Sequence, residues 1–212
     1  MNKKLKDSLF IANNILCFIG LAVFFTLLVA PLIHQSEVQK YGLEAFSGLT
    51  ALQIKDEMTR LVGYLWLWHR APLELMYFPM SKTGVIHFAE VKVFVDLVQI
   101  IGIVTTIIFV IVTYRRLKKK DILFLKTTAV TTYVVLGTLL LFGMVSFDRL
   151  FVLFHEIVFR NDYWLFSYTT DPVIKILPQE FFMHGFFAIV AFVVFFATLC
   201  LGLYHYYIQP KK

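Results

Sequence analysis

The sequence predicts an all-α membrane protein with four transmembrane helices, both termini cytoplasmic, and an extracytoplasmic subdomain formed by two long loops. Three observations predict it. Apolar residues make up 59% of the 212 positions and mean hydropathy is +0.75, beyond a soluble domain, whose apolar share is nearer half. Those residues gather into four runs, about 8–33, 91–114, 122–146 and 183–207, each long enough for a hydrocarbon core of ~30 Å. The cations flank the runs: Lys3, Lys4 and Lys6 before the first, Arg115, Arg116, Lys118, Lys119 and Lys120 between the second and third, Lys211 and Lys212 after the fourth. By the positive-inside rule these three places are cytoplasmic, and the loops 34–90 and 147–182 lie outside. Residues 1–212 read as a single integral membrane domain.

The first run is longer than a signal-peptide core and ends APLIH without a small-x-small cleavage pattern, so it reads as a retained transmembrane helix. Asn13 and Asn14 inside it suit interhelical hydrogen bonds or the headgroup layer. In the loop 34–90, Thr50 to Gln53 fits a capping box, and Ile54, Met58, Leu61, Leu65 and Trp68 share one helical face. That pattern predicts an amphipathic helix ending near Trp66 to His69 and lying on the membrane, with Trp66, Trp68 and Tyr77 among the headgroups. The second run is entered through Glu90, Lys92 and Asp96, returns after a short cationic turn as the third, and the fourth closes the chain.

The net charge of +6 belongs to these flanking clusters, which argues for a phospholipid bilayer and against nucleic acid as partner. Cys17 and Cys200 each lie within an apolar run, so neither a disulfide framework nor a metal knuckle is indicated. No cofactor motif is present, and no G-x-S-x-G elbow. Of fourteen Asp and Glu residues only Asp7 and Asp121 fall on the expected inner side. Five of six histidines, His34, His69, His87, His155 and His184, fall with the outer acids. Any chemistry is expected at the outer face.

Two patches there concentrate ionisable groups among aromatics: HFAEVKVFVD at 87–96 and FDRLFVLFHEIVFRNDYW at 147–164. Charged groups beside a bilayer are costly unless paired or used. His87 and Glu90 share a helical face at i and i+3, so the carboxylate could raise the basicity of the imidazole; the plainer reading is a helix-end histidine beside a solvated acid. His155 stands at helical spacing from Asp148, Phe151, Val152 and Phe159, which suits either a core histidine or a general acid–base. Glu156 and Arg160 are spaced for an i,i+4 ion pair. Arg149, Arg160, Asn161 and Trp164 could orient a substrate or support an oxyanion. A metal held by His87, Glu90, His155 and Glu156 is conceivable, but no HExxH or Cys-pair spacing supports it.

HFAEVK at 87–92, FHE within 154–159, NDYW at 161–164, DPVI at 171–174, ILP at 176–178 and EFF at 180–182 resemble the motifs of the lipoprotein intramolecular transacylase family, small four-helix membrane proteins of Gram-positive bacteria. The family motif has Asp where this chain has Glu90. The resemblance implies that the substrate is a diacylated lipoprotein in the cytoplasmic membrane. The sn-2 acyl chain of its diacylglyceryl-cysteine would move to the α-amino group of the same cysteine, giving the lyso form. It implies His87 as base and His155 as partner acid or oxyanion donor, with no cofactor or metal. A monomer is expected. Two other functions stay open at this point: another membrane-embedded acyltransferase or lipid esterase, and a non-enzymatic lipid-binding or assembly-factor protein.

Overall fold

The computed structural model describes residues 2–143 and 146–209, without the side chains of 141–143. The chain runs as α1 (Lys3–Lys40), α2 (Leu43–Ser47), α3 (Ala51–Leu65), α4 (Lys82–Lys118), α5 (Leu123–Gly143), α6 (Phe147–Val158), a 3₁₀ turn (Pro172–Ile176) and α7 (Gln179–Ile208). Among the described residues there is no strand. Helices α1, α4, α5 and α7 are long and apolar enough to cross a membrane. Helices α1, α4 and α7 outrun the expected spans: α4 begins at Lys82, inside the stretch read as loop, and α1 continues to Lys40. Hydropathy marks the stretch that suits hydrocarbon, whereas a helix continues until a breaker stops it, which α1 meets at Gly42 with φ 62°. Met144 and Val145, within the third expected span, and the basic tail Lys211 and Lys212 lie outside the described residues; Ser146, where that span was expected to end, caps α6 instead.

The chain divides into two compact units. One comprises the described parts of Met1–Phe25, Val98–Met144 and Ala188–Lys212. Its core packs Cys17, Phe18 and Ala22 against Phe124, Leu125, Ala129, Val193 and Ala197. Asn14 Nδ2 donates to Thr128 Oγ1 at 3.0 Å and Asn13 Nδ2 to the Thr105 carbonyl at 3.1 Å, so both asparagines bond between helices as the sequence suggests. A Cβ at Gly20 would lie 2.3 Å from the Gly102 Cα; only glycine permits so close a crossing. Arg116 pairs with Asp7 at 2.5 Å and Asp121 at 3.3 Å, the two acids assigned to the inner side.

The other unit comprises Thr26–Leu97 and the described parts of Val145–Phe187. Thr50 caps α3 and forms the expected capping box with Gln53. The apolar stripe of α3 does not face lipid: Ile54, Met58 and Leu61 are buried in a core with Ala30, Val38, Leu43, Phe78, Val173 and Ile176. A surface-lying helix was expected because periodicity reports one apolar face and not what covers it. Asp171 ties the loop before the 3₁₀ turn to the start of α4, where its Oδ1 accepts from the Ser81 amide at 2.8 Å. A Cβ on Gly84 would meet that same oxygen at 2.2 Å.

Candidate active site

Helix α6 is amphipathic, and His155 is its buried residue, while Leu153 and Ile157 are exposed. Its Nδ1 lies 2.7 Å from the Phe151 carbonyl one turn earlier. A carbonyl only accepts, so the proton of the neutral ring is on Nδ1, and Nε2 carries the free lone pair. Burial lowers the His155 pKa from its ordinary 6.5, opposed in part by this same hydrogen bond. The shift favours the neutral imidazole at pH 7.

On α4, His87 is 7% exposed and His155 8%, and their rings face one another with centroids 5.7 Å apart and planes 33° from parallel. Aromatic rings enclose the pair. Phe151 lies 4.1 Å and Trp164 4.8 Å from His155; Phe159 lies 4.8 Å and Phe166 5.5 Å from His87. The His87 Nδ1 is buried with no hydrogen-bond partner among the described residues. An orphaned imidazole nitrogen costs free energy unless something meets it, which suits an atom held ready for a ligand.

The other sequence-predicted residues divide. Glu90, Asn161 and Trp164 are joined beside the pair, but not as expected: both Glu90 carboxylate oxygens accept from Asn161 Nδ2, at 2.9 Å and 3.1 Å, and Glu90 makes no hydrogen bond to His87. The i,i+3 spacing put the two on one face and could not show that another segment reaches the carboxylate. The Glu156–Arg160 ion pair is absent among the described residues. Helix α6 stops at Val158 and Arg160 turns left-handed at φ 57°, so the i,i+4 geometry does not exist. Glu156, Arg160 and Arg149 are all exposed. His87, Glu90, His155 and Glu156 form no cluster able to hold a metal ion, nor does any other group of described residues. Cys17 and Cys200 are buried free thiols belonging to the other unit.

Sequence reasoning missed a second buried polar group. His34 Nε2 lies 2.6 Å from the Ile176 carbonyl, and Glu37, 1% exposed, pairs with His184 at 2.5 Å. The partners stand 142 and 147 residues apart in the chain, and no local spacing could have signalled them. Beside His34 a cleft of 430 Å³ is lined by Pro31, Leu32, Gln35, Val38, Lys55 and Met58 among others, and by none of the residues around the histidine pair.

Four apolar helices and a buried pair of imidazoles inside an aromatic enclosure mark the chain as a multi-pass membrane protein. The comparisons sharpen this. The family described as lipoprotein intramolecular transacylase Lit matches residues 8–182, and the chain belongs to it. A search of curated proteins found no match. Among solved structures, the membrane integral lipoprotein intramolecular transacylase Lit from Bacillus cereus matches with TM-score 0.86 and 31% identity over 97% of each chain. Two variants of that protein also match at TM-score 0.81 and 30% identity over 97% of this chain. One carries a histidine-to-arginine change, with 93% of its chain covered; the other carries a histidine-to-alanine change, with 95% covered. The chain is thus a multi-pass membrane protein of a transacylase family.

Proposed function

We propose that this chain moves the sn-2 acyl group of a diacylglyceryl-cysteine lipoprotein to the α-amino group of the same cysteine, at the outer face of the cytoplasmic membrane. The observation that carries the reading is the facing pair His87 and His155, buried among rings, with the His155 tautomer set by the Phe151 carbonyl. The free α-amine attacks the ester carbonyl, and its proton passes to His155 Nε2 as the C–N bond forms. His87 faces the developing oxyanion. Collapse breaks the ester C–O bond, and the proton held by His155 goes to the departing glycerol oxygen. The product is an N-acyl amide and a free secondary hydroxyl, and the lone pair returns to Nε2.

The sequence reading made His87 the base; the hydrogen bond to Phe151 favours His155 in that role. Because the nucleophile belongs to the substrate, no protein thiol or hydroxyl is needed. Joining donor and acceptor in one molecule can contribute roughly 7–11 kcal/mol toward the barrier, which leaves proton transfer, about 10²- to 10⁴-fold, to the histidines. A lipid esterase would need water at the ester, and the aromatic enclosure of the pair favours keeping water out.

Mass spectrometry of lipoprotein N-termini tests the reading. Wild-type protein supplied with a diacylated lipoprotein yields the lyso form, His87→Ala and His155→Ala, each folded by size-exclusion behaviour, yield none, and Cys17→Ala and Cys200→Ala retain activity. Full conversion by a folded histidine variant would remove that residue from the reaction.

A further inference from the structure

Neither Glu90 nor Asn161 hydrogen-bonds to a histidine, yet they lie on a continuous chain of contacts that ends on His155. Beyond α6 the backbone reverses at Arg160, φ 57°, and Asn161 follows at once. Every polar atom of Asn161 except its amide is used. Its Nδ2 donates to both Glu90 oxygens and to the Phe159 carbonyl at 3.1 Å. Its Oδ1 accepts from the Tyr163 amide at 3.0 Å, and its backbone carbonyl accepts from the Trp164 indole Nε1 at 2.8 Å. The indole then stands 4.8 Å from the His155 ring, tilted 38°, while Phe151 covers that ring at 4.1 Å. Trp164 therefore has its place set by a hydrogen bond to the same residue that Glu90 holds.

We infer that Glu90 is a positioning residue that acts as a hydrogen-bond acceptor: it anchors Asn161, Asn161 fixes the Trp164 indole, and Trp164 holds the His155 ring at the angle that presents Nε2 to the substrate. This deepens the acyl-transfer reading and rests on it. It differs from the expectation that Glu90 tunes His87 by charge. Three elements meet in the arrangement, with Glu90 supplied by α4, His155 by α6 and the two intermediates by the turn after α6. A single hydrogen-bond acceptor at position 90 thereby couples the helix bearing one imidazole to the orientation of the other.

Acceptor and charge separate by substitution. Glu90→Gln keeps an oxygen for Asn161 Nδ2 and removes the charge; Glu90→Ala removes both. The relay predicts that Glu90→Gln transfers acyl groups within about threefold of wild type, whereas Glu90→Ala and Asn161→Ala lose roughly 10- to 100-fold in kcat at little change in KM, the order of loss that misplacement produces. Histidine-labelled protein in detergent gives a second readout independent of turnover. The His155 Cε1–H resonance, which feels the Trp164 ring, moves in Glu90→Ala and Asn161→Ala and stays in Glu90→Gln. A Glu90→Gln variant as slow as Glu90→Ala, with an unmoved His155 resonance in both, would overturn the relay in favour of charge. So would an Asn161→Ala variant with wild-type rate and resonance. If wild-type protein transfers no acyl group, the functional reading fails, and the resonance still decides the relay.

Discussion

In the proposed reaction His155 is the base, and its environment makes a signed statement about pH. Burial depresses its folded pKa below the unfolded 6.5, so between those two values the unfolded chain binds the proton more readily. The histidine's contribution to stability is intact above pH 6.5 and is lost as pH falls toward the folded pKa. A histidine-resolved NMR titration should place the His155 midpoint below 6.5, and a midpoint at or above 6.5 would contradict a buried neutral base. His155→Phe should flatten the acid-side fall in thermal midpoint. Much of this residue was legible: its i,i±4 spacing to Phe151 and Phe159 is realised as ring contacts at 4.1 Å and 5.4 Å. The partner of Glu90 was not, because Asn161 stands 71 positions away and only the left-handed turn at Arg160 brings it round.

Among the elements, α1 and α4 cross closely at Gly20 and Gly102. A methyl at Gly20 would sit 2.3 Å from backbone, a clash that no rotamer relieves, so the helices must part. Gly20→Ala should destabilise by about 1–3 kcal/mol, read as a lowered thermal midpoint in detergent, and an unchanged midpoint would mean that the crossing is not tight. Thr50 shows what local pattern does deliver, since the capping box at the start of α3 depends on residues three apart and forms as spaced. The destination of that helix's apolar stripe depends on Val38, Phe78, Val173 and Ile176, which its own periodicity cannot name. Helix existence and start are local properties, whereas what a face packs against is settled by the rest of the chain.

At the scale of the whole molecule, the proposed orientation rests on the basic clusters at Lys3 to Lys6 and Arg115 to Lys120, where Arg116 pairs with Asp7 and Asp121. A reporter inserted near Lys118 should be cytoplasmic and one at Ser47 external; an external reporter at Lys118 would put the histidine pair on the wrong side for a lipoprotein substrate. The four-span pattern could be read directly because apolar run length is a one-dimensional quantity. The meeting of α4 and α6 around two histidines is a three-dimensional one, which the sequence could suggest only through two similar polar patches. The central claim is that donor ester and acceptor amine belong to one substrate molecule, with proton transfer from the histidine pair and no acyl-enzyme between them. It is tested most directly by mixing a lipoprotein bearing isotopically heavy acyl chains with a distinguishable one bearing light chains and weighing the N-terminal peptides after reaction. Each product should carry its own label, and substantial heavy N-acyl on the light protein would contradict the one-molecule mechanism.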